Sequence, residues 1–121
     1  MKVLNVDHAQ ITVPVGHEDE ARAFYSGVLG LTEIAKPEAL EGRGGFWLEL
    51  DGFQIHVGVE NGVDRAATKA HLAYLVEHLD QWRKRLASRG IDVIEGVQIP
   101  HFRRFEFRDP FGNRVEFLER A

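Results

Sequence analysis

The feature that most constrains this chain is a pattern that occurs twice. A strand-like run, an amphipathic helix and further strand-like runs fill residues 1–62, and the same order returns over 67–121, across the polar link NGVDRAA. The first helix is DEARAFYSGVLG, where Ala21, Phe24, Tyr25, Val28 and Leu29 form one apolar stripe and Gly30 supplies a stop. The second, LDQWRKRLASRG, repeats the plan with Leu79, Trp82 and Leu86. Its Arg83, Lys84, Arg85 and Arg89 suit the negative helix end as a solvated face, and Gly90 closes it. Strands are expected at 7–13, 46–50, 53–59, 70–76, 91–98, 103–108 and 113–119, with a weaker one near 31–36. LDGF and RDPFGN read as hairpin turns. The fold class is therefore α+β: one domain, 1–121, built of two tandem βαβββ modules, 1–62 and 67–121.

Composition narrows the function. A chain of 121 residues buries roughly two thirds of its unfolded surface. A net charge of −4 argues against a general nucleic-acid binder, which needs a basic footprint. No apolar run is long enough to span a bilayer, and no signal-peptide pattern follows Met1, so a cytoplasmic location is expected. With no cysteine, only histidine and carboxylates remain as metal ligands.

Strand alternation sorts side chains to two faces. In DHAQITV, Ala9, Ile11 and Val13 pack, and His8, Gln10 and Thr12 point the other way. Phe53, Ile55 and Val57 leave Gln54 and His56 opposite; Leu72, Tyr74 and Val76 leave His71. Phe105 and Phe107 leave Arg104, Glu106 and Arg108; Val115 and Phe117 leave Glu116; Phe46, Leu48 and Leu50 leave Trp47 and Glu49. Glu119 reads as exposed. Four strands thus carry one metal-capable residue each on the polar face: His8, His56, His71 and Glu116. The spacings follow the repeat, 48 positions from His8 to His56 (56 − 8) and 45 from His71 to Glu116 (116 − 71). A single histidine on such a face is ordinary surface chemistry. A matched set of four points to a metal site. His17, His78 and His101 fall at helix starts or in loops and read as solvated.

DHAQITV with ARAFYSGVLGL, AHLAYLV and FRDPFGNRVEFLE together resemble the vicinal oxygen chelate superfamily, which includes glyoxalase I, extradiol dioxygenases and bleomycin-resistance proteins. The resemblance covers nearly the whole chain. It implies that the βαβββ modules pair into a U-shaped open barrel, with the metal site on the inner sheet face. It matches His8, His71 and Glu116 to the family's ligands. His56 stands at a fourth position that carries Glu or Gln in glyoxalase I-like members, so that enzyme's pair of carboxylate bases is not reproduced. Homodimers are common among small members and are expected here.

Three imidazoles and a carboxylate suit a divalent metal: Zn, Ni, Co, Mn or Fe. The reading is a glyoxalase-like lyase or isomerase acting on a small molecule that chelates the metal through vicinal oxygens, with the metal as Lewis acid. Glu116 is the first candidate base and Glu106 the second; for Glu106, a plain ion pair with Arg104 or Arg108 weighs equally. Arg104 is read as a clamp for a substrate anion, and Trp47 and Gln54 as cavity lining. The alternatives are an Fe(II) extradiol-type dioxygenase, and a bleomycin-resistance-like protein that binds its ligand without chemistry. The loops at 36–45 and 96–103 are where the substrate would be selected.

Overall fold

Alternating apolar side chains make His8–Val13 the first strand, β1, of a computed structural model that describes residues 1–121. A helix, α1, follows at Glu18–Arg22, with Glu18, Asp19 and Glu20 in the first turn, where acidic groups suit the positive helix end. From Ala23 to Val28 the helix winds wider: the Leu29 N–H donates to the Phe24 carbonyl, five residues back, at 3.0 Å. Gly30, at φ 77°, then ends it, with the Leu31 N–H on the Tyr25 carbonyl. Then come β2 (Thr32–Ile34), a 3₁₀ turn (Glu38–Arg43), β3 (Phe46–Leu50) and β4 (Phe53–Val59). These elements lie in one compact unit, Met1–Val63, as a four-stranded sheet of order β1-β4-β3-β2 in which only β1 and β4 run parallel.

The second unit, Asp64–Ala121, repeats the plan. A short 3₁₀ turn (Arg65–Ala67) precedes β5 (His71–Leu75), α2 (Leu79–Ser88), β6 (Ile94–Glu95), β7 (Phe102–Arg108) and β8 (Arg114–Arg120). The sheet order is β5-β8-β7-β6, with β5 and β8 parallel. The β7–β8 turn is built by Asp109, whose Oδ1 accepts the N–H groups of Phe111 and Asn113 at 2.9 and 2.8 Å. Glu119, read from the sequence as exposed, is half-buried and continues the face of Val115 and Phe117. Its carboxylate accepts the N–H groups of His78 and Leu79 at 2.9 and 3.3 Å, capping a helix whose own N-cap residue, His78, offers no side-chain cap.

The expected strand at 91–98 shrinks to Ile94–Glu95. Ile94 and Val97 are exposed, so no buried face rewards a longer strand. The Val97 carbonyl accepts from Arg104 Nε at 2.9 Å instead of from a strand neighbour. No helix is long and apolar enough to cross a membrane.

The cores differ in where their aromatic bulk sits. In the first unit it lies on the helix (Phe24, Tyr25), with Leu48, Ile55 and Val57 on the strands beside Phe46. In the second, the helix buries Leu79 and Leu86, and the strands bury Tyr74, Phe105, Phe107 and Phe117. Phe107 meets Phe117 edge to face at 4.9 Å, and Trp82 of α2 meets the same ring at 5.1 Å.

Candidate functional site

Register fixes which residues of the two units correspond. Gln10 pairs with His56 across β1 and β4, as Ala73 pairs with Glu116 across β5 and β8. His8 and His71 each stand two residues earlier on their strands. On the other side, Trp47 faces His56 and Glu106 faces Glu116. The trio His8, His56, Trp47 therefore matches the trio His71, Glu116, Glu106. His56, Glu106 and Glu116 are only 7, 8 and 8 % exposed, which rules out a solvated outer face for them.

In the first unit the trio is an aromatic stack. His56 lies between Trp47 (centroids 3.8 Å apart, planes 2° apart) and His8 (4.0 Å, 20°). His8 Nδ1 donates to Asp7 Oδ1 at 2.9 Å and His56 Nε2 to Gln54 Oε1 at 3.0 Å, leaving His8 Nε2 and His56 Nδ1 uncommitted. Burial first, then the neighbouring His8, push the His56 pKa below the usual imidazole value, and Asp7 partly opposes them. A cavity of about 530 Å³ opens beside this stack, lined among others by His8, Gln10, Trp47, Gln54 and His56.

In the second unit the same positions hold charge. Ligand atoms of His71, Glu106 and Glu116 lie within 4.8 Å of one another. His71 Nδ1 is 2.9 Å from the Lys69 carbonyl, which can only accept, so Nδ1 carries a proton. Nε2 faces Glu116 Oε1, 3.2 Å away, and whenever the ring is neutral it presents a lone pair there. In that form two acceptors face each other, an arrangement satisfied by a proton or a cation between them. A backbone carbonyl that fixes the far nitrogen is also how metal-binding histidines are oriented. His71 and Glu116 thus have the chemistry of metal ligands.

Glu106 is differently engaged. The hydrogen bond from Arg114, then the charges of Arg114, His71 and Arg104, hold its carboxyl below the usual range, against the opposing effect of burial. Arg104 Nη1 reaches Glu116 at 3.3 Å and Glu106 at 3.5 Å, and its guanidinium rests over Gly96, where a Cβ would sit 2.8 Å from Cζ.

Of the candidates read from the sequence, His8, His56, Trp47 and Gln54 come together in the first unit, and His71, Glu116, Glu106 and Arg104 in the second. Arg104 binds carboxylates of its own unit, and Glu106 is buried and paired with Arg104 and Arg114, not Arg108. Sequence reasoning missed Arg114, although alternation in RVEFLE sets it on the face of Glu116. It also missed Lys36 and Arg43, which line the first cavity from an irregular segment where no periodicity speaks.

Comparison with known proteins agrees with this architecture. The model of the Glyoxalase/Bleomycin resistance protein/Dioxygenase superfamily matches residues 5–117. The chain is 29 % identical over 111 residues to Glyoxylase I 4 of Arabidopsis thaliana, covering 81 % of this chain but 62 % of that protein's length. A crystal structure of a protein assigned to the glyoxalase family from Bacillus anthracis superposes with a TM-score of 0.91 at 43 % identity, over 100 % of this chain and 98 % of that one. A variant of the fosfomycin resistance protein FosX from Listeria monocytogenes, solved with Mn(II) and 1S,2S-dihydroxypropylphosphonic acid, shares the fold at 16 % identity (TM-score 0.80, 99 % and 95 % coverage). The repeated modules, their register and the family match over residues 5–117 lead to one conclusion: the chain belongs to the Glyoxalase/Bleomycin resistance protein/Dioxygenase superfamily.

Proposed function

We propose that this protein is a divalent-metal-dependent lyase or isomerase acting on a small molecule that offers two neighbouring oxygens. The observation that carries the proposal is His71, its Nδ1 tied to the Lys69 carbonyl and its Nε2 aimed at Glu116. His71 and Glu116 hold the ion in the second unit; His8 and His56, with one uncommitted ring nitrogen each, are donors in the first. When bound, the ion supplies Lewis-acid stabilisation of an oxyanion. Glu116 Oε1, shared by His71 and Arg104, is the candidate proton acceptor. Glu106, kept charged by Arg114, is too weak a base for that role and instead holds Arg104 in position.

Elemental analysis of protein purified without tag or chelator tests this. The expected result is about one divalent ion per chain, lost in Glu116→Ala and kept in Glu77→Ala, an exposed carboxylate of the same unit. Equal metal in both variants would sink the proposal. Iron as the ion would redirect assays to catechols and oxygen uptake. A second reading, a ligand-binding protein without chemistry, is favoured by one observation: Arg104 and Arg114 pair with the buried carboxylates Glu116 and Glu106. Protein that takes up no metal on reconstitution would establish that reading.

A further inference from the structure

The cavity of the first unit has a cationic end that the metal proposal does not use. Its roof is the segment 36–45. Gly45 pins this segment against β4, since at φ 77° a Cβ there would lie 2.1 Å from the Val57 carbonyl oxygen, a distance only glycine tolerates. Lys36 Nζ donates to the Gly44 carbonyl at 2.6 Å, which ties the roof across its own span. The pinned roof sets Lys36, Leu40 and Arg43 along the cavity wall. An ammonium has three donors, so Lys36 keeps two beyond its Gly44 bond, and Arg43 has no hydrogen-bond or ion-pair partner. The cavity's one carboxylate, Asp7, is engaged by His8 Nδ1.

Half-buried Lys36 and exposed Arg43, neither in an ion pair, therefore share a concave wall with apolar Leu40 and Trp47, while Glu38 and Glu41 of the same segment stand outside the lining. Attraction in a partly desolvated cleft favours an anion there, and the volume of about 530 Å³ accommodates a compact organic molecule. We infer that the ligand of this cavity is a small organic anion, a carboxylate on an apolar or aromatic body, with the carboxylate received by Lys36 and Arg43 and the body lying along Leu40 and Trp47. The inference rests on the proposed function only in taking this cavity as the substrate's. It makes the 36–45 roof the determinant of specificity.

The test uses a charged probe and its neutral isostere, phenylacetate and phenylacetamide, titrated into the ¹⁵N-labelled full chain in the presence of a chelator. Metal binding is thereby kept out of the readout, and failure here leaves the elemental analysis of Glu116→Ala untouched. Phenylacetate is expected to bind about tenfold more tightly than the amide, the discrimination of a charge-assisted contact, with shifts centred on the amides of 36, 43–45 and 47. In Lys36→Met/Arg43→Met the preference disappears, while amide resonances of β1, β3, β4 and Gly45 of the roof stay in place without ligand and report an intact first unit. Equal affinity for acid and amide would overturn the inference. So would a preference that survives in the double variant, or shifts centred outside the roof.

Discussion

The two units share a register and fill it with opposite chemistry. Where the first stacks Trp47, His56 and His8 as rings in van der Waals contact, the second sets Glu106, Glu116 and His71 in a network closed by Arg104 and Arg114. The lesson is that a β-scaffold specifies which positions converge, not what they do. Burial on the polar face is satisfied once by ring stacking and once by ion pairing, and both solutions keep backbone pairing intact. The cores make the complementary exchange. Leu48 and Val57 of the first sheet stand where the second carries Phe107 and Phe117, and the helices compensate with Phe24 and Tyr25 against Leu79 and Leu86.

The sharpest way to break the comparison is to exchange core residues. Phe107→Ala should cost about 3–5 kcal/mol, because a fully buried ring with two aromatic neighbours leaves a cavity that a short β-sheet cannot collapse. Leu48→Phe, which imports the second unit's residue into the first, should still destabilise, by about 1–3 kcal/mol, because the helix there already supplies the aromatic volume. Urea unfolding at equilibrium measures both. A stabilised Leu48→Phe would show that the first core is underpacked and that no exchange of volume between helix and sheet exists.

A smaller effect separates the helices. The first turn of α1 carries its own acidic residues, with Glu18 close enough to accept the Gly16 N–H at 3.1 Å, whereas α2 depends on Glu119 from a distant strand. Glu119→Ala should cost about 1 kcal/mol, the usual value of a lost cap, and hydrogen exchange should quicken first at His78 and Leu79. Unchanged exchange there would make the cap ornamental.

These cases mark how far the sequence was legible. Periodicity of two located β3 and β4 to the residue, although only β3 alternates in burial; in β4, Ile55, His56 and Val57 are all buried. It also chose the face of His56, Glu106 and Glu116, but alternation gives a side and not a depth, so their burial was invisible. The wide winding of Ala23–Val28 was invisible too, since the stripe Ala21, Phe24, Tyr25, Val28, Leu29 fits either pitch. Glu119 shows the other limit. Alternation sets it on the face of Val115 and Phe117, and the reading of it as exposed overlooks the backbone donors that α2, beside β8, offers its carboxylate.

An effect absent at neutral pH sharpens the comparison at one pair of matched positions, Ile11 and Tyr74, which face Val57 and Phe117 respectively. Ile11 does not titrate. Burial, and secondarily the charge of Asp109, raise the Tyr74 hydroxyl well above its ordinary value of 10.0. Below pH 10 both folded and unfolded chains keep this proton. Above it the unfolded chain releases the proton first, so the folded state binds more protons and stability must fall as pH rises, until the folded hydroxyl itself ionises. One such group contributes a slope of at most about 1.4 kcal/mol per pH unit. Tyr74→Phe keeps the ring against Phe117 and removes that slope. Urea midpoints near neutrality and above pH 10 should therefore diverge less in the variant than in the parent. If the two chains lose stability in parallel, the alkaline limit of the fold lies elsewhere, and the matched aliphatic position in the first unit confers no advantage at high pH.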